Sequence, residues 1–253
     1  MKQRIILLLV LLCATRMMGA GVDVEAVWER GNRLYSAGDY NGAILAYDSI
    51  VNEGLQSAAL YYNLAGACFK SGHNGLAILN YHRALRLDPT NEDAAHNLAY
   101  AESFVRDNID VIPLGFMERA VGSVRTAMSA DSWGVCSLVT FGLLLVALGF
   151  YILSQSRRVR KTGFIVAVIM LVGFVVSVSF GASARRQVLS DKEAVVLVSA
   201  TSVKASPEAN SKDLFVLHEG TKVEVMDSYG QWSEIRIADG NEGWILTSAL
   251  EII

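Results

Sequence analysis

Hydrophobic and polar positions divide the 253-residue chain into stretches of different period. Residues 5–12 form an apolar run behind Lys2 and Arg4, too short to cross about 30 Å of hydrocarbon comfortably. From residue 24 to about 106, apolar positions recur at the three- and four-residue spacing of packed helices. Residues 135–153 and 163–181 each run 19 residues without a charge. At about 1.5 Å per residue each reaches about 28 Å, the length of a membrane span. After Arg186 the pattern alternates. Residues 222–226 put Val223 and Val225 on one face and Lys222 and Glu224 on the other, and residues 231–237 put Ile235 and Ile237 on one face. Residues 213–217 and 242–246 are further short runs, and Glu219-Gly220, Tyr229-Gly230 and Asp239-Gly240 punctuate them. Short strands between glycine-containing turns predict a small all-β barrel over 187–253.

The helical stretch repeats at a spacing of 34, the period of a helix pair. Gly38 falls on Gly72, Ala43 on Ala77, Ile44 on Ile78, Tyr47 on Tyr81, and Gly31 on another small residue, Ala65. The small positions let two antiparallel helices approach closely, the large ones fill the gap, and Pro89 ends the second helix. A third copy starts at Glu92, where Ala95, Leu98 and Ala99 continue the first-helix pattern to about Arg106. No second helix follows, because 109–113 breaks the pattern. Residues 23–108 thus read as two repeats, 24–57 and 58–91, and a capping helix, 92–107. Glu92, Asp93, Glu102 and Asp107 suit the solvated face of a cap.

Tyr61, Leu64, Ala65, Gly72, Ala77, Tyr81, Ala84 and Pro89 resemble the tetratricopeptide repeat. That resemblance implies a concave face for extended peptides or partner helices, here carrying Trp28, Asn32, Tyr35, Tyr62, Asn63, Lys70, His96, Asn97 and Tyr100. One branch of the family clamps a terminal carboxylate with two Asn and three basic residues. Asn32 and Asn63 keep the amides, but Trp28, Asp93 and Asn97 stand at the basic positions, so no carboxylate-terminal specificity is expected. An aromatic, amide-rich groove suits a mostly apolar segment. Simple packing of Tyr35 and Tyr62 is the alternative.

Composition and charge sharpen this division. The chain is 52% hydrophobic and 19% charged, with a net charge of −3 and three cysteines. High hydrophobicity excludes a disordered chain, and the lack of a basic excess excludes a nucleic-acid binder. By stretch the net charge is +3 over 1–22, −6 over 23–112, +6 over 113–186 and −6 over 187–253. Residues 1–22 read as a secretory signal, with small residues at Gly19, Ala20 and Gly21; an uncleaved anchor is the alternative. The hairpin is expected as spans over 133–153 and 163–182, joined by a basic loop over 154–162. Arg157, Arg158, Arg160 and Lys161 place that loop in the cytoplasm, against only Arg185 and Arg186 at the far end. Both acidic blocks then lie on the outer side of the bilayer. In the linker 109–132, Phe116, Ala120, Val124 and Ala127 recur at helical spacing. They predict either an interfacial helix anchored by Trp133 or a plain connecting helix.

Candidate chemistry is sparse. Cys13 lies in the signal, Cys136 in a span and Cys68 at a packing position, and His73 and His82 share a repeat with Cys68. A cysteine nucleophile needs a base and an electropositive setting. Buried Cys68 and surface histidines are the expectation. No metal-ligand spacing and no phosphate loop appears, so no catalytic residue, metal or cofactor is expected, and the chain is expected not to be an enzyme.

The run Leu217-His218-Glu219-Gly220-Thr221, with Trp232, Asp239-Gly240 and Gly243-Trp244-Ile245, resembles a bacterial SH3-type domain. Tyr229, Trp232 and Trp244 are its aromatic surface candidates, Trp244 with core packing as its alternative. The tyrosine pair of polyproline-binding relatives is missing. The full arrangement resembles the TPR/SH3 proteins of the Bacteroidetes aerotolerance operon (the BatE type). The runs Leu214–Thr221 and 242–244 carry much of that likeness. It implies an inner-membrane protein beside von Willebrand A-domain proteins and a MoxR-type ATPase, with an envelope or oxidative-stress role. Three functions follow as expectations. One is a non-enzymatic scaffold presenting two periplasmic modules, raising their effective concentration at shared partners. Another is a cell-wall sensor in which the SH3-type domain binds peptidoglycan. The third is an accessory subunit of a hydrolase.

Overall fold

The computed structural model describes residues 23–253 except 111, 114 and 191. The expected signal, 1–22 with Cys13, lies outside the described residues. Contacts divide the chain into two units, residues 1–55 and 56–253.

The first unit contains helices α1, Val24–Ser36, and α2, Tyr40–Asn52. Asp23 caps α1 by accepting from the Ala26 amide at 3.2 Å, and Asp39 caps α2 by accepting from the Gly42 amide at 2.9 Å. The turn between them needs a left-handed residue, and Gly38 supplies it at φ +82°. Ala43, Ala46, Tyr47 and Ile50 line the buried side of α2. A Cβ at Gly31 would come within 3.0 Å of the Tyr47 ring, so only glycine lets the two helices close there. Asp39→Ala removes the α2 cap and is expected to cost about 1 kcal/mol, measured by urea unfolding followed through helical circular dichroism.

The second unit begins with an equivalent pair, α3, Ala58–Lys70, and α4, Asn74–Leu87, turned by Gly72 at φ +85°. Leu60, Tyr61, Leu64, Ala65, Ala67 and Cys68 of α3 are buried, as are Ala77, Ile78, Leu79, Tyr81 and Ala84 of α4. The period of 34 is thus the distance from one left-handed glycine turn to the next. Helix α5, Glu92–Glu102, is capped by Asn91 and packs on α4 through Ala94, Leu98 and Ala101.

Two expectations change here. The capping helix ends at Glu102 rather than near residue 107: the Ser103 hydroxyl donates back to the Tyr100 carbonyl at 2.6 Å, and the chain leaves through turns. Ala95 and Ala99 are exposed, not packed. They correspond to Tyr61 and Ala65, which are buried in α3, and α5 has no second helix of its own to bury them.

Helix α6, Phe116–Thr126, leads to the long helices α7, Ala130–Leu153, and α8, Arg157–Val188. Both α7 and α8 are long and apolar enough to cross a membrane. They pack side by side through Leu144, Ala147 and Ala167, with ring contacts Trp133–Phe180, Phe141–Phe174 and Tyr151–Phe164 at 5.3–5.7 Å. The order of these pairs makes the helices antiparallel. The loop expected over 154–162 shrinks to 154–156, because Arg157, Arg158, Arg160 and Lys161 form the first turns of α8. Arg and Lys are good helix formers and no breaker intervenes, while the Arg160 guanidinium sits 5.7 Å from the Tyr151 ring centroid. At the other end α8 continues past 182 and takes in Arg185 and Arg186. Helix α7 starts at Ala130, capped by Ser129, rather than at 133.

A seven-stranded antiparallel sheet completes the unit. Its strands are β1, Glu193–Val196; β2, Ala200–Lys204; β3, Asp213–His218; β4, Lys222–Tyr229; β5, Trp232–Arg236; β6, Glu242–Leu246; and β7, Leu250–Ile252. Their spatial order is β3-β2-β6-β5-β4-β1-β7. Val196, Val203, Leu217, Val223, Ile235, Ile237 and Ile245 fill one core. Irregularities at Val203/Lys204 and Val225/Asp227 bend the strands over it. Alternation marked β4 and β5, and short runs between glycine turns marked β3 and β6. Strands β1, β2 and β7 carried no such signal in the sequence.

Candidate interaction surfaces

In the first unit, the three candidate groove residues are half-buried and held by neighbours. Trp28 lies 5.5 Å from the Tyr47 ring, Asn32 Oδ1 accepts from the Tyr47 hydroxyl at 2.8 Å, and Tyr35 meets Tyr40 edge-on at 5.4 Å. These contacts match the packing alternative for Tyr35 while leaving each residue partly accessible.

In the second unit, Tyr62 and Asn97 come together. The Asn97 amide donates to the Tyr62 hydroxyl at 3.1 Å, and the Tyr62 ring lies 6.0 Å from Tyr81. Asn63 is half-buried, and Lys70, His96 and Tyr100 are exposed. Tyr100 belongs to a cluster the sequence reading missed. Its ring lies 5.6 Å from Phe69 and 5.2 Å from Phe104. Tyr100 is 56% and Phe104 58% exposed. The signal was present, since Tyr100 and Phe104 are four apart and Phe69 follows Tyr62 by two turns. It was hidden because Phe69 comes from α3 and meets Tyr100 and Phe104 only through the packing of the helices.

The outer side of α4 carries the sheet. The Gly75 amide donates to Glu219 Oε1 at 2.9 Å, Arg83 donates to the Ile252 carbonyl at 2.6 Å and to Glu251 at 3.1 Å, and Arg86 donates to the Ser190 carbonyl at 3.0 Å. Burial pushes the Tyr61 phenol up, opposed in part by the charges of Arg83 and Arg86. Beyond α5 the linker adds the strongest attachment. Asp107, expected as a solvated cap residue, is nearly buried and faces the sheet. Its carboxylate accepts from the His218 amide at 2.7 Å and the Thr221 hydroxyl at 2.6 Å, and meets His218 Nδ1 at 2.6 Å. Desolvation alone would raise its pKa, but these bonds outweigh it and hold the carboxyl below the usual range. Ile109 then packs on the sheet core, and the Ile112 amide donates to the Ala238 carbonyl at 3.2 Å.

On the sheet, Tyr229 is 68% exposed at the β4–β5 turn. Trp232, expected at the surface, is instead buried at 7% exposure. Trp244 is half-buried, because alternation in β6 turns its neighbours Gly243 and Ile245 inward. A cleft of about 510 Å³ runs beside the edge strand β3. Leu214, Val216, Asp107, Ile109, Asp239 and Glu242 line it.

Cys68 is buried, and His73 is exposed and bonded to Ser71, but His82, expected at the surface, has a side chain only 14% exposed, 3.4 Å from Glu102. Among the described residues no group of three or more His, Cys, Asp or Glu is placed to hold a metal ion. No curated protein matches the chain significantly. The model of the bacterial SH3 domain family matches residues 199–251, which span β2 to β6 and most of β7.

Proposed function

We propose that the protein is a non-enzymatic scaffold of a bacterial inner membrane. Helices α7 and α8 would cross the bilayer with the basic 154–162 end in the cytoplasm, and the tetratricopeptide-type helix pairs and the SH3-type domain would work in the periplasm. The bonds of Asp107 and Arg83 to the sheet support one side for both, as an even number of crossings requires. The observation that carries the binding role is the exposed pair Tyr100 and Phe104, packed on half-buried Phe69 as an aromatic surface suited to an apolar partner segment. By resemblance to the aerotolerance-operon proteins, such partners would be von Willebrand A-domain membrane proteins and a MoxR-type ATPase in an envelope stress complex. Affinity purification of the full chain from detergent-solubilised membranes tests this. The wild type is expected to retain membrane partners, and the Tyr100→Ala/Phe104→Ala double variant to lose at least tenfold of them. Equal recovery from both would refute the assignment.

A second reading is supported by the cleft along β3. Its lining joins apolar Leu214 and Val216 to Asp239, bonded to Asn241, and Glu242, paired with Arg236, a mixed surface that would suit an extended cell-wall peptide. In this reading the chain tethers or senses peptidoglycan. Sedimentation of the full chain with purified peptidoglycan separates the two, since a scaffold alone stays in the supernatant.

A further inference from the structure

Helix α6 has an unusual surface. At 100° per residue, Phe116, Met117, Ala120, Val121 and Val124 share one side, and Glu118, Arg119, Ser123 and Arg125 share the other. Phe116 is 76%, Met117 69%, Val121 50% and Val124 45% exposed, and no residue of the helix is buried. An apolar face of this size left to water is unfavourable.

Its position says what covers it. Only three residues separate α6 from α7. The Trp133 indole, at the start of α7, donates to the Arg125 carbonyl at 3.3 Å and stacks on Phe180 of α8 at 5.4 Å. This pins the C-terminal end of α6 at the end of the hairpin opposite residues 154–156, where an amphipathic indole suits the membrane–water boundary. The C-terminal end of α6 therefore lies beside the long helices, whose own apolar surface is exposed. The charges fit an anionic surface: Arg119 and Arg125 on α6 and Arg185 and Arg186 in the last turns of α8 outnumber Glu118 and Asp131.

We infer that α6 lies along the bilayer surface on the side of the helical block and the sheet, its apolar face among the acyl chains and its arginines on anionic phosphate headgroups. This rests on α7 and α8 crossing the membrane. Because Ile112 is bonded to Ala238, the lipid-bound helix also holds the sheet close to the membrane.

Spin labels carried on an unnatural amino acid at 117, 121, 119 and 123, one per chain, test this in nanodiscs of phosphatidylcholine with or without phosphatidylglycerol. The full-length protein is used, with a further label at Ile169 in mid-span. Labels at 117 and 121 are expected to collide with oxygen and escape a water-soluble nickel chelate. Labels at 119 and 123 should do the reverse. Phosphatidylglycerol should deepen 117 and 121, and Arg119→Gln/Arg125→Gln should abolish the deepening. Nickel access at all four α6 positions, with Ile169 still in lipid, overturns the inference alone. Nickel access at Ile169 overturns the spanning hairpin. Dipolar broadening at 117 and 121 would show a second copy covering the face, and shielding from both reagents another protein; either overturns lipid as the occupant.

Discussion

Asp107→Ala is expected to loosen the sheet from the helical block and destabilise the second unit by about 3–5 kcal/mol. One carboxylate takes the His218 amide, the His218 ring and the Thr221 hydroxyl. Alanine leaves these groups without their acceptor, at about 1–3 kcal/mol for each that stays dry, and bonds to a charged acceptor are the stronger kind. Hydrogen exchange of the His218 and Thr221 amides in the detergent-solubilised chain should speed up, and proteolysis should reach residues 103–110. Asp107→Asn keeps one acceptor oxygen and should lie between wild type and alanine. Unchanged exchange in Asp107→Ala would remove this contact from the account. The pH dependence has a fixed sign. The folded pKa of Asp107 is depressed, so its contribution is present above the unfolded value, near 3.9. It is lost as pH falls through the lower folded value. The protection at His218 should therefore hold down to about pH 4 and fail below it, and Asp107→Asn should remove this acid dependence.

Gly220→Ala has the second-largest expected effect, about 2–4 kcal/mol. Gly220 adopts φ +92°, and a Cβ there would come within 2.8 Å of Ile78 in α4 and of Val105 in the linker. Ile78 is fully buried, so it cannot swing aside. Gly230→Ala is the control, since Gly230 is also left-handed at φ +60° but has nothing within 4 Å of its Cβ position. It should cost only about 1 kcal/mol of backbone strain. Thermal unfolding of both variants separates clash from conformation. Equal losses would mean that the close approach at Gly220 is relieved by movement.

The legible parts of this chain are those written in local period. The glycine-to-glycine spacing from 38 to 72 marks two helix turns, and the apolar runs from 135 and 163 mark the long helices. Alternation at Val223/Val225 and Ile235/Ile237 marks two strands. Boundaries were less legible where charges and helices coincide: Arg157 to Lys161 look like a loop by polarity, yet they are good helix formers and start α8. For the candidate surfaces, Tyr62, Asn97 and Tyr100 were found by motif position, whereas Phe69 and Phe104 join Tyr100 only through packing. By sequence, core packing is an alternative for Trp244 and not for Trp232, and the structure reverses them, because the choice of inward face depends on which strands pair with β5 and β6.

By itself, then, the sequence determined which segments are helical, apolar or alternating, because those patterns depend on neighbours within a few residues. Only the tertiary structure decided that Asp107 and Arg83 fasten the sheet to the helices and that Arg86 holds the connection leading into it. Each reaches a partner more than a hundred residues away, a distance at which chain order says nothing about contact.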